Sequence, residues 1–526
     1  MSAVADTDSK TKPPKMTEAG VSVDINTSAS PKKMNVSKRH DIVEKKTWEA
    51  LYEDEEKADP NEINDTIPNK QIPTNAKFGP DGEYIFRKLE DQKWYHAMRP
   101  RADIIHLLKE DGDWLVRISD TRGTFEVILT VKGGRNGLTN LSLGVNVNKF
   151  FFLNASSKGK NQKFFMCVVD LVEYYMNKKL PGKVQMKRAV IRPAWLIKKS
   201  QVCFDVVNDK IGKGNFAFVY KGKFSDPPTA AIDVAVKVAI MNSEDGNNIK
   251  MAKDDLMKEA KIMSYFAHDN VIRFFGIACD DPPVMLVMEF CGGGALDSHL
   301  TKAGDTILPA ERILYAYEIA RGMKYLHYKK SIHRDLATRN VLISSSGVLK
   351  VADFGLSRMA EELKNENFVK AHIPILWMAP ETLYREPKYT EKSDVWSFAV
   401  LLFEIYTNGA KPWPEISNFK QIAKYIRKCK MWKMPVGSPP EMVTLVNSIF
   451  VLDLDTRPNF AQISETLKNH LVLAKKDISV TALSLNKLKN VKRTSWNISN
   501  KNVNSLSEES ASQSKSLSRD DTKESD

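Results

Sequence analysis

The chain of 526 residues carries 78 Lys plus Arg against 65 Asp plus Glu, a formal net charge of +13. Hydrophobic residues make up 42% and aromatic residues 9%, which excludes collagen-like, fully disordered and disulfide-scaffold proteins. The length favours more than one folded unit, because single domains usually have roughly 100–200 residues. Basic charge alone is compatible with nucleic-acid binding, but there is no basic motif with interleaved aromatic residues, so no nucleic-acid partner is expected.

Both ends of the chain are polar. Residues 1–90 are rich in Lys, Asp, Ser, Thr, Asn and Pro, which predicts a mostly disordered segment with one helix-like island at residues 40–56. Residues 472–526 predict a disordered tail. The most apolar run, residues 396–402, is far shorter than the roughly 18–20 residues that cross a bilayer. Together with five scattered cysteines and a polar start, these features predict a soluble protein of the cytoplasm.

The first region of globular texture, residues 94–181, has a helix, strands, helix pattern. Apolar spacing predicts helices at residues 101–109 and 164–176, and strands at residues 114–119 and 125–131.

Two arginines of this region are candidates for an anion site. Side chains two apart on a strand share a face, so Arg117 and Ser119 point away from the apolar positions between them. An arginine on such a face is ordinarily solvated. Here Arg101, on the preceding helix, is expected beside it, and two guanidinium groups with a hydroxyl can bind one anion through charge-assisted hydrogen bonds.

A basic linker, residues 182–203, leads to a second region, residues 204–471, which opens with strands around a glycine turn. Gly212 and Gly214 allow the backbone to approach an anionic group, although an ordinary β-turn is an equal alternative. Lys237 follows on an alternating strand and points inward, where a snorkelling edge lysine is the alternative.

Three further motifs remove most of this ambiguity. His-Arg-Asp-Leu-Ala-Thr-Arg-Asn at residues 333–340 is followed by Asp-Phe-Gly at 353–355 and by Ala-Pro-Glu at 379–381. The order and spacing of the set resemble a protein kinase catalytic domain over residues 203–471. The resemblance implies a bilobal fold with a β-rich small lobe and an α-rich large lobe, so the fold class expected for the whole chain is α+β multidomain.

The resemblance also implies roles for the motif residues. Lys237 would hold the nucleotide phosphates and pair with Glu259, while Asp335 would accept the proton of the substrate hydroxyl beside Arg339. Asn340 and Asp353 would hold magnesium, or manganese. The residues implied to surround ATP are Ile211, Gly212, Lys213, Gly214, Asn215, Phe216, Ala217, Val219, Ala235, Lys237, Met288, Glu289, Cys291 and Leu342. Glu381 and Arg457 resemble a structural ion pair of the large lobe.

The catalytic loop indicates which hydroxyl accepts the phosphate. Serine/threonine kinases place a lysine two residues after the catalytic aspartate, whereas this chain has Ala337 there and an arginine at 339. That order, and the Pro-x-x-Trp sequence at residues 374–377, resemble tyrosine kinases. Tyrosine residues of proteins are therefore the expected substrates, with dual specificity left open.

The first region resembles a Src homology 2 domain. Trp-Tyr-His at residues 94–96, the Pro-Arg pair before the first helix, and Trp-Leu-Val-Arg-Ile-Ser at 114–119 carry this resemblance. It implies that Arg101, Arg117 and Ser119 bind phosphotyrosine of partner proteins, which could recruit the chain to the inner face of the plasma membrane. The order of the two domains resembles the Fes/Fer non-receptor kinases, although the polar first 80 residues leave no room for that family's membrane-bending and coiled-coil regions.

The sequence departs from these families in three places. Ala217 stands where the family has the third glycine of the phosphate loop, and Asn140 stands where it usually has the histidine of the phosphotyrosine pocket. Residues 353–381 contain no tyrosine, so the usual activation-loop switch is absent. Our hypothesis is that acidic side chains partly replace its charge, with a solvated acidic loop as the equal alternative. The candidates are Glu361, Glu362 and Glu366.

Two tyrosines of the N-terminal segment, Tyr52 and Tyr84, are candidate phosphorylation sites because they lie in polar surroundings. For the whole chain, the leading interpretation is an active tyrosine kinase that phosphotyrosine recruits to its partners. The alternative is a pseudokinase that binds phosphotyrosine and transfers nothing, which the retained Lys237, Asp335 and Asp353 disfavour.

Overall fold

The structure, a computed structural model, describes residues 73–121, 124–133, 137–154, 162–214, 217–240, 246–359, 374–474, 479 and 482–494. Several predictions lie outside the described residues: the helix at residues 40–56, Tyr52, Asn215, Phe216, and the three activation-loop glutamates 361, 362 and 366. In the ranges that are described, no helix is both long and apolar enough to span a membrane.

The first folded unit is a five-stranded sheet between two helices. Its elements are α1 (Arg101–Ile105), β1 (Asp113–Thr121), β2 (Thr124–Lys132), β3 (Leu138–Val145), β4 (Phe151–Leu153), α2 (Val168–Met176) and β5 (Arg188–Ala189). The strand order is β4-β3-β2-β1-β5, with only β5 parallel to its neighbour β1. Ile104 packs on Leu115 at one face of the sheet, while Leu171 joins Trp114 and Leu129 in the larger apolar cluster.

Both helices of this unit are shorter than the apolar spacing predicts. After Ile105 the chain turns, and the backbone N–H groups of Lys109 and Glu110 donate to the carboxylate of Asp113, which starts β1. At the second helix, Phe165 is still bonded to β4 through its backbone. Hydrogen bonds to groups outside the helices therefore set the C-terminal end of α1 and the N-terminal start of α2.

Residues 73–91 pack on α2, so the disorder expected through residue 90 is not found over 73–90. The Tyr84 hydroxyl donates to Asp170 Oδ2 at 2.7 Å, and Arg87 pairs with both Asp170 and Glu173. Asp170 is buried, so its charge requires these partners. Tyr84 is thus a hydrogen-bonded, half-buried residue and not a freely accessible one.

The small lobe of the second unit is a seven-stranded sheet with one long helix. Its elements are β6 (Leu196–Ile197), β7 (Val202–Cys203), β8 (Lys210–Lys213), β9 (Ala217–Phe224), β10 (Ile232–Ala239), α3 (Gly246–Met263), β11 (Phe274–Ala278) and β12 (Met285–Glu289). The order is β6-β11-β12-β10-β9-β7, and β8 pairs with β9. Strands β6 and β7 come from the predicted linker, which therefore completes the sheet at both edges. Lys237 lies on the central strand β10, which excludes the edge-lysine alternative.

The large lobe is mostly helical. It contains β13 (Gly294–Ala295), α4 (Leu296–Ala303), α5 (Pro309–Tyr328), β14 (Ser331–Ile332), β15 (Val341–Ile343), β16 (Leu349–Val351), β17 (Arg358–Met359), α6 (Glu391–Tyr406), α7 (Phe419–Arg427), α8 (Pro440–Ile449) and α9 (Phe460–Ala474). Helices α5 and α6 are buried over most of their length and form the centre of the lobe. Together with the small lobe this is the two-lobed arrangement that the sequence resemblance implies.

Residues 482–494, here called the C-terminal strap, also belong to this lobe. Leu483 and Leu485 are fully buried, and Ser484 is almost so. The tail expected to be disordered from residue 472 is therefore packed in this part. Its polar composition conceals the few buried positions that hold it.

Candidate active site

A buried ion pair joins the small-lobe sheet to its helix. Lys237 Nζ on β10 lies 2.9 and 2.8 Å from the two carboxylate oxygens of Glu259 on α3. It also lies 3.6 Å from Asp353 Oδ1 of the large lobe. Burial opposes the charged form of Lys237, but the carboxylates of Glu259 and Asp353 outweigh it and raise its pKa above the ordinary value. The Lys237 ammonium thus lies between a carboxylate of the small lobe and one of the large lobe.

The predicted catalytic loop brings three side chains together. Asn340 Nδ2 donates to the backbone oxygen of Asp335 at 2.7 Å and to Asp335 Oδ2 at 2.8 Å. Arg339 pairs with the other carboxylate oxygen. Burial raises the pKa of Asp335, against the opposing effect of Arg339, so its carboxylate is a stronger base than a solvated aspartate.

Asp353 faces the same cleft from the other side. Its φ is 64°, a left-handed conformation, and its side chain is half-exposed. The next residue, Phe354, is buried against the rings of Phe266 and His333. Partial desolvation opposes the charged form of this carboxylate, but the nearby charge of Lys237 outweighs it and lowers the pKa of Asp353, which keeps the carboxylate ionised.

The other predicted nucleotide residues lie on or next to strands of both lobes. Ile211, Gly212, Lys213 and Gly214 lie on β8 and the turn after it, and Ala217 and Val219 lie on β9. Ala235 lies opposite Met288, and Lys237 opposite Val219, in the sheet register. Glu289 ends β12, Cys291 follows it, and Leu342 lies on β15 of the large lobe. Of the predicted set, Asn215 and Phe216 are not among the described residues.

A second group of residues supports the catalytic loop, and sequence reasoning missed its central member, Asp394. Asp394 on α6 is buried and accepts hydrogen bonds from the backbone N–H groups of His333, at 2.8 Å, and Arg334, at 2.9 Å. It also accepts from His327 Nε2 at 2.9 Å. The Ser-Asp-Val-Trp sequence around it carries no local signal for a partner 60 residues away.

Aromatic rings cover two arginines of the catalytic loop. The Arg339 guanidinium lies 4.2 Å from the centre of the Trp377 ring, within the predicted Pro-x-x-Trp platform. Arg334 lies 4.2 Å from the Tyr389 ring. Trp377 Nε1 donates to Glu404 at 3.0 Å. The predicted architectural pair is also present, since Arg457 binds Glu381 through two hydrogen bonds of 2.8 and 3.0 Å.

The predicted anion site of the first unit contains one buried arginine. Arg117 is 6% exposed, and its Nε atom is buried with no hydrogen-bond partner in the described residues. Burial, and then the nearby charge of Arg101, lower its pKa. Ser119 shares its face of β1. Asn140 pairs with Thr130, whose hydroxyl donates to it at 2.8 Å.

Comparisons with known proteins agree with this geometry. Residues 206–467 match the family described as protein tyrosine and serine/threonine kinase. Fer-related kinase 1 of Caenorhabditis elegans is 33% identical over 68% of this chain and 88% of its own length. The tyrosine-protein kinase Fer of Rattus norvegicus is 29% identical over 72% of this chain but only 44% of its own length. The transforming protein Fps of an avian sarcoma virus is 29% identical over 73% of this chain and 68% of its own.

Proposed function

The chain belongs to the Fer-related family of protein-tyrosine kinases, and we propose that its second unit transfers the γ-phosphate of ATP to tyrosine hydroxyls of proteins. The observation that carries this proposal is the continuous set of contacts from Glu259 through Lys237 to Asp353 across the cleft, with Asp335 and Asn340 beside it. A pseudokinase scaffold would not require these contacts. The proposed enzyme is a non-receptor kinase, and we infer its role in signalling from that class.

Lys237 is the nucleotide-positioning residue in this proposal. Its charge is held between Glu259 and Asp353, so it can bind phosphate oxygens without moving far. Such pre-positioning reduces the entropy that is lost on reaching the transition state. Ala235 and Leu342 then enclose the adenine between the lobes. The backbones of Glu289 and Cys291 hydrogen-bond to it, and Met288 limits the pocket behind it.

Asn340 and Asp353 are the residues that fit a divalent cation. The Asn340 amide nitrogen makes the hydrogen bonds to Asp335, which leaves its amide oxygen as a ligand, and Asp353 is ionised. Oxygen donors of this kind suit magnesium or manganese. When bound, the ion neutralises charge on the phosphates of ATP.

Asp335 is the proposed general base. Its raised pKa and its hydrogen bond from Asn340 support this role, because they make the carboxylate more basic and fix its orientation. Arg339 links this carboxylate to the Trp377 ring. The Arg339 guanidinium is flat, partly exposed and backed by the buried Trp377 ring, so it supplies a surface on which the phenol ring of a tyrosine substrate can pack.

The first unit is proposed to be a Src homology 2 domain that binds phosphotyrosine of partner proteins. Two arginines on one side of the sheet support this, because Arg117 is buried with an unpaired Nε and Arg101 is close enough to lower its pKa. A dianionic phosphate would satisfy both. Binding of this kind would bring the kinase from the cytoplasm to phosphorylated proteins, including those at the plasma membrane.

A radiolabel transfer assay tests the catalytic proposal. The full chain with magnesium and ATP should label a tyrosine peptide, and Asp335→Asn should reduce the label by about 10²-fold or more. Asp455→Asn, the same change at an exposed position, is the matched control. Equal labelling by the wild type and Asp335→Asn would leave only the scaffold.

Peptide binding tests the phosphotyrosine proposal separately. The full chain should bind phosphotyrosine peptides and not their unphosphorylated forms, and Arg117→Met should abolish the difference. Lys178→Met, which removes the same charge from an exposed position, should not. If the chain bound both peptide forms equally, the assignment of this unit would be wrong.

A further inference from the structure

The C-terminal strap satisfies a buried glutamate of the large lobe. Glu311 on α5 is fully buried. Its carboxylate accepts hydrogen bonds from the Ser484 backbone N–H at 3.0 Å, the Ser484 hydroxyl at 2.8 Å and the Leu485 N–H at 3.2 Å. The Tyr315 hydroxyl donates to it as well, at 2.8 Å. A buried carboxylate needs such donors. Three of these four hydrogen bonds come from the strap.

A second glutamate of α5 is paired in the same way. Glu318 is buried and forms an ion pair with Arg493 of the strap, which is also buried. Glu318 Oε2 also accepts a hydrogen bond from the backbone N–H of Leu349 at 2.9 Å. Arg493 also donates to the backbone oxygen of Gly347. This arginine therefore ties the strap to α5 and to the turn between β15 and β16.

Between these two contacts with α5, the strap runs close to Gly292, the residue that follows Cys291 of the proposed nucleotide site. A side chain at Gly292 would place its Cβ 3.2 Å from the Asn490 backbone oxygen and 3.0 Å from Ser345 Oγ. The Lys492 N–H donates to the Ser345 backbone oxygen at 3.0 Å. The strap thus lies directly beside the residue after Cys291 and is hydrogen-bonded to the turn that follows β15.

Both segments carry proposed adenine-binding residues. Cys291 immediately precedes Gly292, and Leu342 lies on β15, where it pairs with Ala295 of β13. The Gly293 N–H donates to the Ile343 backbone oxygen at 2.9 Å and β13 pairs with β15, so the strap contacts lie beside the hydrogen bonds that join these two walls of the nucleotide pocket. The strap lies outside residues 206–467, the part of the chain that matches the kinase family.

We propose that the C-terminal strap is a positioning segment for the nucleotide: its docking on Glu311 and Glu318 sets the spacing of Cys291 and Leu342 around the adenine. The inference rests on the proposed nucleotide site. Release of the strap should weaken ATP binding more than it slows phosphate transfer, because Asp335 and Asn340 are held by other residues.

A charge change at Ser484 in the full chain releases the strap. In Ser484→Asp, a second carboxylate lies against Glu311 in a buried site, where like charges repel strongly. Amide hydrogen exchange should then rise over residues 483–493. We expect the KM for ATP to rise about fivefold or more, with kcat within about twofold. Ser484→Ala, which adds no charge, is the matched control and should change the KM less.

Removal of the opposing charge should rescue the variant. Glu311→Gln turns the buried carboxylate into an amide that can donate to the carboxylate introduced by Ser484→Asp, so the double variant should recover most of the ATP affinity. A general loss of structure would not be repaired in this way. If Ser484→Asp lowers the melting temperature so far that kinetics fail, a chain ending at residue 481 is assayed with and without a synthetic peptide of residues 482–494. The peptide should restore the KM for ATP.

The outcomes separate the two proposals. If the wild type shows no ATP binding, the nucleotide site itself is wrong. If the wild type binds ATP and the exchange data show a released strap with an unchanged KM, the positioning role is wrong. An unreleased strap in Ser484→Asp, or no response to the peptide, also overturns it.

Discussion

Asp394 provides the sharpest test of how the catalytic loop is held. It is 1% exposed and accepts the backbone N–H groups of His333 and Arg334, together with His327 Nε2. Arg334 has a φ of 70°, a left-handed conformation that costs a non-glycine residue about 1–3 kcal/mol. The hydrogen bond from its N–H to Asp394 helps to stabilise that conformation.

The cost of losing Asp394 follows from these contacts. In Asp394→Ala, the buried N–H of His333 and the partly buried N–H of Arg334 lose their acceptor, and each loss costs about 1–3 kcal/mol. The free energy of unfolding should therefore fall by about 2–6 kcal/mol, a large part of the roughly 5–15 kcal/mol of a typical domain. Asp394→Asn keeps one acceptor oxygen, so its loss should be about half as large.

Catalysis should suffer more than ATP binding. A shift of about 1 Å in the loop can reduce kcat by roughly 10²-fold. Asp335 and Asn340 lie on this loop, whereas Lys237 and Ala235 do not. Urea unfolding and steady-state kinetics of Asp394→Asn measure both effects, with exposed Asp455→Asn as the control for the change of charge. Wild-type stability together with a kcat within twofold of the wild type would refute this reasoning.

Three other expected outcomes rest on the contacts and pKa values. Because the pKa of Asp335 is raised, kcat should decline with falling pH earlier than a solvated aspartate would require, and a pH-rate profile measures this. Burial lowers the pKa of His96 to about 4, so the unfolded state binds the proton more readily than the folded state. The free energy of unfolding should therefore fall as the pH drops from about 6.5 to 4. In urea titrations, His96→Gln should make this dependence on pH weaker. Tyr84→Phe removes the hydrogen bond to buried Asp170 and should lower stability by about 1 kcal/mol. Labelling of Tyr84 by the folded kinase would contradict the packing described for it.

Local patterns were sufficient for the elements that carry the proposed chemistry. Alternation predicts β10 with Lys237 facing inward, and the resemblance carried by the loop motifs implies the neighbourhood of Asp335, Asn340 and Asp353, which the structure brings together. The direction of Lys237 follows from the strand itself, because successive side chains of a strand point to opposite faces. The neighbourhood of the loop residues came from the resemblance and not from local geometry. The Arg457 and Glu381 pair was also anticipated, although only from a resemblance.

Tertiary structure decided which polar segments are buried. Composition marks residues 73–90 and 482–494 as polar, yet Tyr84 binds Asp170 86 residues away, and Ser484 binds Glu311 173 residues away. Asp394 likewise binds the catalytic loop from a distant helix. A polar side chain can be buried wherever a distant partner satisfies its hydrogen bonds, and local periodicity contains no record of that partner. The sequence by itself therefore determined the residues of the proposed reaction, whereas only the fold decided what holds them in place.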